Sequence, residues 1–124
     1  MATSFDATAF LRSEPAVADL SAKDGYALIF SGAGVTVAGA NARIVGICVD
    51  PVASGRNATY QVAGQVRAVA GAGVSKGALL TTDSSGRLVT ATTGQNVVAQ
   101  ALEAGSANAV MAVEVFPGGG GLAP

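Results

Sequence analysis

Gly73-Val-Ser-Lys-Gly-Ala-Leu-Leu-Thr-Thr-Asp-Ser-Ser-Gly-Arg-Leu-Val-Thr-Ala91 decides the fold class. Lys76-Gly77 turns the chain into a short apolar run, Ala78 to Thr82. Asp83-Ser84-Ser85-Gly86 reverses it, and Arg87 to Ala91 runs back. Asp and Ser favour the first positions of a turn because their side chains bond nearby backbone N–H groups, and Gly86 supplies the positive φ such loops need at their last residue. Leu79, Leu88 and Val89, with Thr between them, have the composition of a half-buried pleated surface. The stretch reads as a β-hairpin.

Outward from the hairpin the same grammar of short β-runs and Gly turns repeats, which predicts an all-β chain. Tyr26 to Phe30 and Val35 to Val37 read as strands around a Ser31-to-Gly34 turn. Arg43 to Val49 is the most apolar strand and is placed at the centre, with Asp50-Pro51 ending it because Pro cannot donate to a ladder. Thr59 to Ala70 alternates with period two and loses register at Gly64, as one strand bent at a bulge or as two short ones. Ala109 to Phe116 closes the set. Val97 to Glu103 fits a strand or a single helical turn by pattern alone.

A weak internal repeat tips that segment toward strand. Val35-Thr-Val-Ala, a Gly/Asn loop, then Ile44-Val-Gly-Ile-Cys-Val-Asp50 matches Leu88-Val-Thr-Ala, a Gly/Asn loop, then Val97-Val-Ala-Gln-Ala-Leu-Glu103. The division expected is an extended N-terminal arm over 1–19, a β-rich domain over 20–117 and a flexible Gly-rich tail over 118–124. The arm has no sustained period, Pro15 interrupts any helix, and Phe5, Phe10 and Leu11 are its apolar anchors. They are the candidate contact residues for a neighbouring subunit or another surface: if they are buried at all a partner must bury them, and otherwise the segment is a poorly ordered terminus.

Half of the 124 residues are hydrophobic, but aromatics are only 5%, Trp is absent and Gly contributes 17, so most of the apolar content is small side chains. Each buries little area, at about 25 cal/mol per Å². A core of this kind is marginal for a monomer and points to association with further copies or another surface. Charged residues are 12% with net charge −1, which disfavours contact with nucleic-acid phosphates. No apolar run approaches the length of a bilayer span, and neither a basic amphipathic segment nor a secretion signal is legible, so no membrane partner is expected.

The residue types also bound the chemistry. Without histidine there is no triad, no imidazole acid–base group and no His–metal site, and the lone Cys48 reads as buried strand filler. Asp24 and Asp83 sit in turns. Asp50 and Glu103 end the two repeat copies, but nothing in the sequence builds the perturbed environment that a catalytic carboxylate pair needs. Gly71-Ala-Gly-Val-Ser-Lys-Gly77 lacks the order of a phosphate loop and no helix follows it. The chain is expected to have no catalytic residue, no metal and no cofactor.

Gly64 to Ala91, then Asn96-Val-Val-Ala-Gln-Ala-Leu-Glu-Ala-Gly105 and Val110 to Phe116, resemble the capsid cement, or decoration, proteins of tailed bacteriophages. The shared pattern is an apolar strand, a Gly-x-x-Leu-Thr-x-Asp-x-x-Gly-Arg-Leu-Val hairpin and an Ala-Leu-Glu-Ala-Gly segment. Lys23-Asp-Gly-Tyr-Ala and Arg43-Ile-Val-Gly-Ile are similar as well, so the resemblance spans roughly Lys23 to Phe116. It implies a small barrel or tulip-like β-domain that forms a homotrimer, binds the major capsid protein on the outer surface of the virion and stabilises the shell. It implies no enzyme. The other reading kept is a carbohydrate- or receptor-binding β-module on a virion surface. Such a site wants exposed aromatics, and Tyr26 and Tyr60 both lie in strand patterns.

Overall fold

The computed structural model describes residues 10–117 and 119–124. Among them there is no helix, and about 48% are strand, in one curled antiparallel half-barrel sheet. The strands are β1 (Phe10–Pro15), β2 (Ala27–Ser31), β3 (Gly34–Val37), β4 (Gly46–Asp50), β5 (Asn57–Val69), β6 (Leu79–Thr82), β7 (Leu88–Thr90), β8 (Ala99–Ala101) and β9 (Val110–Val115). They lie in the order β3-β2-β4-β5-β9-β8-β6-β7, with β1 on the free side of β5. The hairpin of the opening stretch is β6–β7, in register Leu80↔Thr90 and Thr82↔Leu88.

Read from the centre, this order is the same set twice. The first half is β1 to β4 with the N-terminal part of β5, and the second is the rest of β5 with β6 to β9. Leu28 pairs with Val37 and Gly46 as Leu80 pairs with Thr90 and Ala99. Val45 donates to Leu28 O at 2.8 Å, and Val98 to Leu80 O at 2.8 Å. The parallel bridge Ala16↔Val35 has its counterpart in Ala70↔Leu88. These registers coincide with the repeat, and Ala99–Ala101 is accordingly strand.

The packing is duplicated too. One core cluster holds Ala16, Leu20, Leu28, Val35, Cys48, Ala58 and Tyr60. Ala70, Val74, Leu80, Leu88, Ala101, Met111 and Val113 occupy the matching places in the second half, joined there by Ala27, Ala38, Ile47 and Ala68 from the seam between halves. Small Ala58 beside large Tyr60 is answered by Met111 beside Val113, so volume is conserved while residues differ.

β5 belongs to both halves. Its N-terminal part pairs with β1 and β4, and from Gly64 to Val69 it pairs with β9. Gly64, at φ +89°, lets the strand bend where its partners change.

Both ends of the chain enter this scheme. Of the arm expected over 1–19, residues 10–15 form β1 on β5, Ala16 is buried, and Phe5 lies outside the described residues. The tail, expected to be flexible and unable to pack, folds back on the loop before β8. Gly94 donates to Ala123 O at 2.9 Å, Val97 to Gly121 O at 2.8 Å and Ala123 to Gln95 O at 2.8 Å, and Ala123 is buried. The reason is conformational: Gly119 and Gly121, at φ +89° and +80°, allow a reversal that residues with a Cβ resist.

Candidate contact surface

The large exposed apolar side chains of the first half lie at the start of β1, just beyond its end, and on β2. β1 pairs only with β5, so its outer edge carries no strand among the described residues. Phe10 and Leu11 lie at the start of β1, at a bulge against β5 where Phe10 faces Ala63 and Leu11 faces Gln61. They are 56% and 57% exposed. Ser13 and Thr59 share a hydroxyl–hydroxyl hydrogen bond of 3.0 Å, which fastens the middle of β1. Beyond β1, Val17 donates to Val35 O at 3.0 Å and so borders β3.

Phe30, the last residue but one of β2, pairs with Val35 and is 57% exposed. Sequence reasoning counted Phe30 within a strong strand and passed over its exposure. The repeat held the missing signal, because Phe30 stands where the second half has the buried Thr82. Phe10, Leu11, Val17 and Phe30 are large apolar side chains left to solvent in one half. Of the other exposed ones, Val110 starts β9 and Leu122 lies in the tail.

The groups that could have carried chemistry are committed to structure. Asp83 is the keystone of the hairpin tip: its Oδ1 accepts the amides of Ser85 (2.9 Å) and Arg87 (3.0 Å), and its Oδ2 takes the Arg87 Nε at 3.1 Å. Glu103 accepts the Ala112 amide at 2.9 Å, and Asp50 ends β4 on the surface. Burial pushes the Cys48 thiol up to about 11. Burial also raises Tyr60, with Glu14 adding to it, and the phenol hydroxyl has no protein hydrogen-bond partner among the described residues. Tyr26 lies under the Lys23 ammonium, 4.8 Å from the ring centre.

The glycine loop is a turn. Gly71, Val74 and Gly77 donate their amides to the carbonyls of Leu88, Gly105 and Ala101 at 2.8 Å each, so these three amides are tied into the β structure. Among the described residues no three Cys, Asp or Glu groups gather where they could hold a metal. No described helix is long and apolar enough to cross a membrane. One cleft, about 300 Å³ in volume, lies between the tail (Gly119, Gly121, Leu122), the segment Asn96 to Val98, and Arg43 and Ile44 of the first half.

Residues 17–116 match the family described as phage cement protein. Among solved structures the fold is similar to the N base of the head fibre gp8.5 of bacteriophage phi29, with a TM-score of 0.67 and 18% identity, covering 87% of this chain and 94% of that one. Among curated protein sequences none matches.

Proposed function

This chain belongs to the phage cement protein family, and on that premise we propose that it decorates the outer surface of a phage head and stabilises the shell as a homotrimer. It is a capsid-associated structural protein. The observation that carries the finer reading is the family match itself, which spans nearly all of both halves. The contacts assigned to the major capsid protein are Phe10 and Leu11 on the unpaired border of β1, together with Phe5 just upstream. Fully burying a large apolar side chain contributes about 1.5–3 kcal/mol, so a few such anchors per copy multiply into firm attachment around a trimer. In this reading the protein performs no reaction and needs no cofactor, nucleic acid or membrane.

The carbohydrate-binding reading is the weaker one. Tyr60 is buried and Tyr26 lies under the Lys23 ammonium, so neither tyrosine offers a free ring face for a sugar to stack on.

The test uses heads of the parent phage that lack this protein. Purified chain should bind them saturably, at sites visible on the outside by electron microscopy, and raise the temperature at which they release DNA. The double variant Phe10→Ser/Leu11→Ser should keep its fold and lose most of that binding. Sedimentation of the free and head-bound protein reads the trimer. Failure to bind overturns the function; equal binding by the variant overturns the assigned contacts; single scattered copies overturn the trimer.

A further inference from the structure

The seam between the halves is a template for a second contact that the tail now covers. On the first half, the loop after β3 meets the end of β6: Asn41 donates its amide to Thr82 O at 2.9 Å, and Ala42 donates to Thr82 Oγ1 at 2.9 Å. Asn96 completes the seam, bonding Asn41 through both its amide and its side chain. In the second half, Gly94 stands where Asn41 stands, with φ +85° against +52°. Its amide goes to Ala123 O at 2.9 Å. Ala123 therefore takes, on the second half, the place that Thr82 takes on the first.

We propose that residues 119–124 are a displaceable cap, and that the surface beneath them takes the β2–β3 hairpin end of a second copy of this chain. The occupant follows from the repeat. Whatever fits against Gly94 in the manner of the seam must present the equivalent of Thr82, and that residue is Phe30, whose pairing with Val35 repeats that of Thr82 with Leu88. Thr82 is buried by its seam, whereas Phe30 is 57% exposed among the described residues.

The cap is also seated shallowly. It holds the loop mainly by backbone bonds, Leu122 is 65% exposed, and the cleft of about 300 Å³ remains between the tail and Arg43, Ile44 and Val98. A head-to-tail contact of this kind joins unlike surfaces, so it extends a chain of copies unless the rotation closes a ring. The cap decides whether that surface is available. This inference does not rest on capsid binding.

The experiment compares the full chain with a variant lacking residues 119–124, by sedimentation across a concentration series and by circular dichroism. The shortened chain should keep its β spectrum and show a weight-average mass about doubled or more relative to the full chain, rising with concentration. Phe30→Asp in the shortened chain should return it to the mass of the full chain. Ala123→Asp in the full chain, which places a charge at the buried cap position, should reproduce the association without shortening anything. An unchanged mass in both uncapped forms overturns the proposal. So does association that Phe30→Asp leaves intact, which would assign the surface to another partner. Loss of the β spectrum in both forms overturns it too, because the tail would then be part of the core.

Discussion

The carbonyl of Gly86 accepts the amide of Ala27 at 2.8 Å, so the tip of the β6–β7 hairpin is fastened to the first strand of the other half's hairpin. Gly86 has φ +83°, and a Cβ placed there would stand 2.3 Å from Val37 Cγ1. Gly86→Ala therefore meets backbone strain and a clash at the seam together. It should cost at least 1 kcal/mol, on the order of 4 °C in Tm or more, measured by thermal unfolding. Gly94→Ala, also at positive φ but with open space around it, should cost less. Equal losses would mean that the clash contributes nothing.

Asp83 bonds two backbone amides through one oxygen and Arg87 through the other. Asp83→Ala should destabilise by about 1–2 kcal/mol, since each lost hydrogen bond is worth roughly 1 kcal/mol net. Asp83→Asn retains an oxygen for the two amides and loses the ion pair, so it should lose under about 1 kcal/mol. Denaturant unfolding separates the two. If Asn costs as much as Ala, the ion pair and not the turn is what matters.

The Cys48 thiol rises from the usual 9.0 to about 11 because burial disfavours the thiolate. In the window between those values the unfolded chain gives up the proton and the folded chain keeps it. Stability from this group is thus complete below about pH 9 and falls as pH rises through the window, with a slope approaching 1.4 kcal/mol per pH unit. Cys48→Ala should remove that component of the alkaline decline. At neutral pH it should cost only about 1 kcal/mol, because Ala101 fills the matching place in the other half. Thiol reagents should label Cys48 only on unfolding, and rapid labelling of the native protein would contradict its burial.

Residues 1–9 and 10–19 should behave differently on removal. A chain starting at Phe10 keeps β1 and Ala16, and its Tm should stay within a few degrees of the parent's. A chain starting at Leu20 loses β1 from β5 and Ala16 from the core. That should lower Tm by more than about 10 °C, at roughly 4 °C per kcal/mol. Similar melting of both would show that β1 contributes little to the fold.

Much of this was legible in the sequence because turns and strand alternation are local. Asp83 and Gly86 announce their hairpin without help from the rest of the chain, and Gly64 marks the bend of β5. The pairing at the two ends was not legible, since neither Phe10–Pro15 nor Gly119–Pro124 has alternation of its own. β1 is ordered by β5, a strand far away in sequence, and the tail by the amides of Gly94 and Val97. The contact surface was legible at Phe10 and Leu11, where no nearby pattern could bury them. It was not legible at Phe30, whose neighbours read as core and whose exposure follows only from its position at the open side of a duplicated half.

β5 also sets how the chain must acquire its structure. In a solenoid each repeat closes on its neighbour and folding can spread from any one of them. Here the first half is incomplete until Asn57 to Ala63 lies between β1 and β4, and the second until Gly64 to Val69 meets β9. One strand thus closes two loops of long sequence separation, and such non-local pairing slows folding. The halves share one strand as well as an architecture, so their folding is expected to be coupled through β5.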